Sequence, residues 1–100
     1  MVFITQLLYV HTGKESVFGE FEAAAIPLIA KHGGELLLRL RPTADSVVER
    51  SIDLPYEIHL VRFPTDEALA SFTADPERQR LLHLKNDSVR SSLAVRGSAS

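Results

Sequence analysis

Three short segments of this chain are apolar on both of their alternating faces, and that limits the fold more than any other feature. Residues 3–10, 35–41 and 56–63 are bounded by turn residues or proline and are rich in leucine, β-branched and aromatic side chains. They read as strands covered on two sides. In the first, Phe3, Thr5, Leu7 and Tyr9 share one parity, and Ile4, Gln6, Leu8 and Val10 the other. In the second, Leu36, Leu38 and Leu40 oppose Glu35, Leu37, Arg39 and Arg41. In the third, Tyr56, Ile58, Leu60 and Arg62 oppose Glu57, His59, Val61 and Phe63.

Helical patterns separate these strands. Between residues 14 and 32, Phe18, Phe21, Ala25, Leu28, Ile29 and His32 recur at spacings of three and four and form one apolar stripe. Acidic residues favour its first half and Lys31 its last turn, as the helix dipole prefers. Gly33-Gly34 supplies a left-handed stop. Pro27 removes one hydrogen bond, so a kink or break is expected there. Thr65 suits an N-cap for a helix to about residue 73, and Asp75-Pro76 opens another helical segment. Leu81, Leu82 and Leu84 are the expected buried side of that segment. A last strand covers 89–96. Residues 43–54 have no period, and Val47-Val48 is expected to pin this loop by a short extra pairing.

The order is β-α-β-β-α-β, which predicts an α+β, ferredoxin-like sandwich. Residues 1–97 are expected to form one domain and 98–100 a frayed tail. Helices cover only one face of such a sheet. If Leu36, Leu38 and Leu40 lie beneath them with Phe3, Leu7, Ile58 and Leu60, then Ile4, Leu8, Val10, Leu37, Val61 and Phe63 need a second cover. A sheet stacked from a second copy supplies it, so the chain is predicted to be a homodimer.

Composition excludes several function classes. There is no cysteine, which removes disulfides, thiol catalysis and zinc–thiolate sites and fits a reducing cytoplasm. The net charge of −2 leaves no basic footprint for nucleic acid. No apolar run approaches the roughly 18 residues of a membrane span, and the N-terminal stretch has no signal-peptide pattern. Gly33-Gly34 follows a helix and opens none, so it is no phosphate cradle. Ser91-Ser92 has no accompanying His–Asp pattern.

Three stretches carry a family resemblance: Ile26 to Gly34 (IPLIAKHGG), Tyr56 to Pro64 (YEIHLVRFP), and Ala74 to Arg78 (ADPER) with the Gln and Leu residues after it. With the first strand they span most of residues 3–96, and the chain resembles the dimeric α/β-barrel superfamily, nearest its short families of unknown function and the NIPSNAP-like group. The resemblance implies a dimeric α/β barrel. It also accounts for Pro27, since similar sequences place a proline there. The superfamily includes cofactor-free monooxygenases, haem-degrading enzymes, muconolactone isomerase-like proteins and members without known activity. Its haem-degrading members rely on a Trp and an Asn as well as a His. This chain has no Trp and a single Asn, Asn86.

Four histidines occur, none spaced as a local metal pair, so no metal or other cofactor is expected. His59, mid-strand among apolar neighbours, is the first candidate for proton transfer. Its structural alternative is a hydrogen-bonded histidine in the dimer interface. With the leucines under the helices, Arg39, Glu57, His59 and Gln6 gather on the open side of the sheet. There Arg39 suits a carboxylate or enolate, or else the set forms an intersubunit ion network. Tyr9 is a candidate hydrogen-bond donor to a substrate. His83 is a second proton-transfer candidate, and the resemblance makes it a candidate haem ligand.

Three functions follow as expectations. The first is a cofactor-independent enzyme, monooxygenase- or isomerase-like, acting on an acidic or aromatic small molecule. The second is a non-catalytic binding or stress-response dimer. The third is a haem-binding protein.

Overall fold

A computed structural model describes residues 1–99. Ser100, part of the tail expected to fray, lies outside the described residues. The elements run β1 (Val2–Val10), α1 (Glu15–Ala25), α2 (Pro27–Lys31), β2 (Glu35–Leu40), β3 (Glu57–Phe63), α3 (Asp66–Thr73), α4 (Pro76–Ser88) and β4 (Val89–Gly97). The four strands form one antiparallel sheet in the order β2-β3-β1-β4, with helices on one face. This is the α+β, ferredoxin-like arrangement that the element order predicts. Among the described residues, no helix is long and apolar enough to cross a membrane.

Local chemistry explains the boundaries. The long helix breaks at Ile26, and Pro27 takes the first position of α2, where its missing N–H costs nothing. Gly33 stops α2 with a φ of +78°. The Thr65 side chain caps α3, and Asp75 caps α4 by accepting from the backbone N–H groups of Glu77 and Arg78. Asp75 is buried and also meets Lys31 Nζ at 2.9 Å and His32 Nε2 at 2.6 Å, which ties the end of α2 to the start of α4. These bonds hold its carboxyl well below the usual carboxylate range, with Lys31 the larger influence and His32 the next. No strand forms at Val47-Val48: a single 3-10 turn, Ala44–Ser46, closes on its own Thr43–Ser46 hydrogen bonds, and Val48 is fully exposed.

The core lies between helices and sheet. Val2, Ile29, Val61 and Phe63 are buried together, with Ile4, Leu36, Leu69 and Phe72 packed on them. The helices therefore cover Val2, Ile4, Gln6 and Leu8 of β1 and Glu57, His59, Val61 and Phe63 of β3. This overturns the expectation that the leucines of β2 all lie under the helices. Leu36 pairs with Val61 and faces the core, but a register shift follows between Leu36 and Leu38. Leu37 is the extra residue of this bulge, and beyond it the alternation is reversed. Leu38 and Leu40 point to the open face, 48% and 38% exposed, and Arg39 comes opposite His59 on the helix side. The open face carries Phe3, Leu7, Ile58, Leu60, Leu93 and Val95 besides.

At Gly34 the chain passes close to the core. A Cβ there would stand 2.6 Å from Phe63 Cε1 and 2.8 Å from Ile29 Cγ2. Both neighbours are buried and cannot yield freely. Gly34→Ala is expected to destabilise the fold by about 1–3 kcal/mol, the range for overpacking a core. The check is a lower denaturation midpoint in urea with an unchanged slope.

Candidate functional site

Five charged side chains from three elements meet on the helix side of the sheet. α1 contributes Glu22, β2 and the residue after it contribute Arg39 and Arg41, and β3 contributes Glu57 and His59. Glu22 occurs on the buried stripe of α1, between Phe18 and Ala25, so the same spacing that buries the phenylalanine drives a carboxylate inward. The alternating burial of β3 places Glu57 and His59 beside Val61 and Phe63.

Glu57 is the hub. It has no exposed surface, and its two oxygens meet His59 Nε2 at 2.5 Å, Arg39 Nε at 3.2 Å and Arg41 Nε at 3.0 Å. Burial works against its charge. Hydrogen bonds from Glu22, His59, Arg39 and Arg41 outweigh that and lower its pKa to about 2. Glu22 behaves in the opposite way. Burial is the main influence and pushes its pKa up. Neighbouring Glu57 adds to the rise, against the pull of His59 and Arg39. Burial disfavours the His59 cation, yet its bonds to Glu22 and Glu57 prevail and raise its pKa.

The His59 Nε2 proton lies between two acceptors. Glu57 Oε2 is the nearer, and Glu22 Oε2 stands 2.9 Å away. A single N–H cannot satisfy both, and Glu22 Oε2 is left buried without a well-formed hydrogen bond. Glu22, His59 and Gln6 also line a cavity of about 160 Å³ between the sheet and the helices. Its walls are mainly apolar, from Ile4, Phe21, Ile29, Leu69 and Phe72, with Arg78 and Lys85 of α4 also lining it. A buried carboxyl of raised pKa, an imidazole beside it and an apolar cavity make an arrangement suited to moving a proton on a small molecule.

Among the residues singled out from the sequence, Gln6, Arg39, Glu57 and His59 do share one face, under the helices and away from the open face. Gln6 is directly across from His59 in the β1–β3 register. Arg39 bonds Glu22 and Glu57 of its own chain, so an ion network of these residues forms within one copy. Tyr9 is on the other face, where its hydroxyl donates to the Asp53 carbonyl at 2.8 Å, and Arg90 stacks on its ring. His83 is exposed, with Nδ1 3.0 Å from the Arg80 carbonyl oxygen, and it does not line the cavity. A haem held there would find no histidine in the cavity but His59, whose Nε2 already serves two carboxylates. Glu22, Glu57 and His59 each offer a ligand atom within 4.8 Å of the others, a grouping no local motif reveals. Arg39 and Arg41 already supply its positive charge. Glu22, Arg78 and Lys85 were not singled out from the sequence. For Glu22 the signal was present, a charged residue on an otherwise apolar stripe.

The sequence profile of a domain of unknown function, DUF1330, matches residues 4–98. Among curated proteins none matches this chain. Solved structures similar to it include a NIPSNAP family protein of unknown function from Agrobacterium tumefaciens, 17% identical, covering 97% of this chain and 86% of its own, with a TM-score of 0.71. A candidate antibiotic biosynthesis monooxygenase from Nitrosomonas europaea is 16% identical over 99% of this chain and 98% of its own, with a TM-score of 0.75. A dimeric protein of unknown function and ferredoxin-like fold from Bacteroides fragilis is 13% identical over 98% and 95%, with a TM-score of 0.66. At these identities the likeness is one of fold.

Proposed function

The chain belongs to the DUF1330 family, a domain of unknown function, and from that premise we propose that its helix–sheet cavity is a cofactor-independent proton-transfer site for a small molecule. The observation that carries this reading is the Glu22 Oε2 atom, buried, incompletely hydrogen-bonded and 2.9 Å from His59 Nε2, in a residue that lines the cavity. Leaving a buried carboxylate oxygen unsatisfied costs about 1–3 kcal/mol, a cost that a working acid–base group explains. Glu22 is the group that gives and takes the proton. His59 and Glu57 set its charge, and Arg39 orients it through the 2.8 Å contact to Oε1. The candidate monooxygenase among the structural neighbours lends support at the level of fold to a small-molecule enzyme.

The test is solvent deuterium exchange. Small oxo acids, oxo esters and phenols with acidic C–H bonds are incubated with the protein in D2O and followed by proton NMR. The folded wild-type protein is expected to speed exchange in at least one of them. Glu22→Gln is expected to lower that rate by about 10²–10⁴-fold, the usual contribution of a positioned acid or base. Wild-type exchange at the buffer rate throughout, or a Glu22→Gln variant as fast as wild type, would overturn the reading.

We further infer that the open sheet face seats a second copy of the chain. Leu38, Leu40, Leu93 and Val95 are 38–52% exposed on one continuous apolar surface, which a lone soluble chain rarely leaves uncovered. The neighbour described as a dimeric protein of ferredoxin-like fold supports pairing, and face-to-face stacking is how two bare sheet faces cover each other. Because Arg39 bonds within its own chain on the opposite side, the dimer does not depend on it.

A further inference from the structure

α4 presents two cations, Arg78 and Lys85, to the same cavity. They stand seven residues apart, two helical turns, so they share a face and lie about 10 Å apart along the axis. Both are half-buried. Neither side chain forms an ion pair among the described residues. Burial pushes the Arg78 guanidinium towards its neutral form, and burial together with Arg78 itself does the same to Lys85. Among the described residues, the only hydrogen bond of the Arg78 guanidinium is a 3.3 Å contact from Nη1 to the Thr73 carbonyl, and the group is stacked 5.2 Å over Phe72. The acid on the cavity wall, Glu22, is already engaged by Arg39 and His59. Two like charges are thus partly desolvated on one wall of an apolar cavity, neither of them paired among the described residues. Folding alone gains nothing from that arrangement.

We propose that Arg78 and Lys85 are the anion-binding pair of this cavity, and that its ligand is a compact organic carboxylate. The proposal rests on the cavity being the small-molecule site and adds the class of ligand. The volume, about 160 Å³, is below the ~300–1,000 Å³ of pockets for drug-sized ligands. A body of a few carbons, branched or aromatic, fits against Phe21, Ile29, Leu69 and Phe72, with its carboxylate at the α4 wall. The other end of the ligand then faces Glu22 and His59, so a carboxylate held at one wall directs the remaining atoms to the proton-handling pair at the other. The role of anion anchor, expected of Arg39 from the sequence, falls to α4 because Arg39 is consumed by Glu22 and Glu57.

The experiment is a thermal-shift and calorimetric titration of the full chain with butyrate, isovalerate and benzoate, each beside its uncharged amide of the same shape. At least one acid is expected to raise the melting temperature saturably, and its amide is not. Lys85→Gln and Arg78→Gln, each checked for folding by circular dichroism, are expected to weaken the acid about tenfold. Glu22→Gln is expected to keep the binding while losing proton exchange. Binding retained without exchange in the wild type would therefore remove the proton-transfer reading and leave this one standing. Equal binding of acid and amide, no binding of any acid, or wild-type affinity in both cation variants overturns it.

Discussion

Glu57→Gln is expected to lower the free energy of unfolding by about 3 kcal/mol, the lower end of the range for breaking a buried ion pair. The carboxylate has no exposed surface and serves three cationic groups at once. An amide of the same shape leaves His59 and Arg39 to share Glu22, whose own charge burial disfavours. The Arg41 contact adds little, because that side chain is 56% exposed and its charge is screened by water. Urea denaturation at neutral pH measures the loss, and a change below about 1 kcal/mol, the scale of a surface pair, would show that the network is held no more tightly than that.

The same network sets the pH profile. The Glu57 pKa falls from 4.5 to about 2 on folding, so its stabilisation is complete above 4.5 and is lost as the pH drops towards 2. His59 is raised above 6.5, so its contribution is complete below 6.5 and is lost as the pH rises through its folded value. Glu22 is raised above 4.5, so the unfolded chain releases that proton first and stability declines as the pH climbs beyond 4.5. The wild-type protein is therefore expected to weaken on both sides of the mildly acidic range. Glu57→Gln is expected to flatten the acid limb in a series of thermal melts.

Leu93→Glu is expected to convert a dimer into a folded monomer. Leu93 lies across from Leu7 at 52% exposure, on the apolar face that the helices leave bare. A carboxylate there costs a single chain little. In a stacked pair it is carried, with its symmetry mate, into the sheet–sheet interface, where an unpaired ion costs several kcal/mol. Light scattering after size exclusion is expected to give half the wild-type mass at equal concentration, with an unchanged circular dichroism spectrum. A variant of wild-type mass would place the interface elsewhere.

Much of the architecture was legible in the sequence. The order of elements, the break at Pro27, the stop at Gly33 and the end of β3 before Pro64 follow from residues whose backbone chemistry leaves few alternatives. So does the set Gln6, Glu57 and His59, because alternation within a strand does not depend on which side is buried. The choice of side was not legible. Phe3 and Leu7 on one parity of β1 are as apolar as Ile4 and Leu8 on the other, and only the helices decide between them. Nor was the bulge: in the run Leu36-Leu37-Leu38 no glycine or change of chemistry marks the residue left over. Lys85 was obscured among the leucines of α4, where a cation on a helix usually reads as a solvated residue that lays its stem along the surface.

The extra residue at Leu37 makes β2 a strand whose pairing matters more than its letters. With it, the same six residues serve two partners, delivering Arg39 inward to the carboxylates and Leu38 and Leu40 outward to the bare face. Pairing Leu37 in register, with the bulge closed, would exchange these roles in one step, turning two leucines into the ion network and the arginine onto the apolar surface. The hairpin between residues 41 and 56, by contrast, has room to lengthen or shorten without moving either set. Related chains that differ by insertions or deletions should therefore concentrate them in that loop.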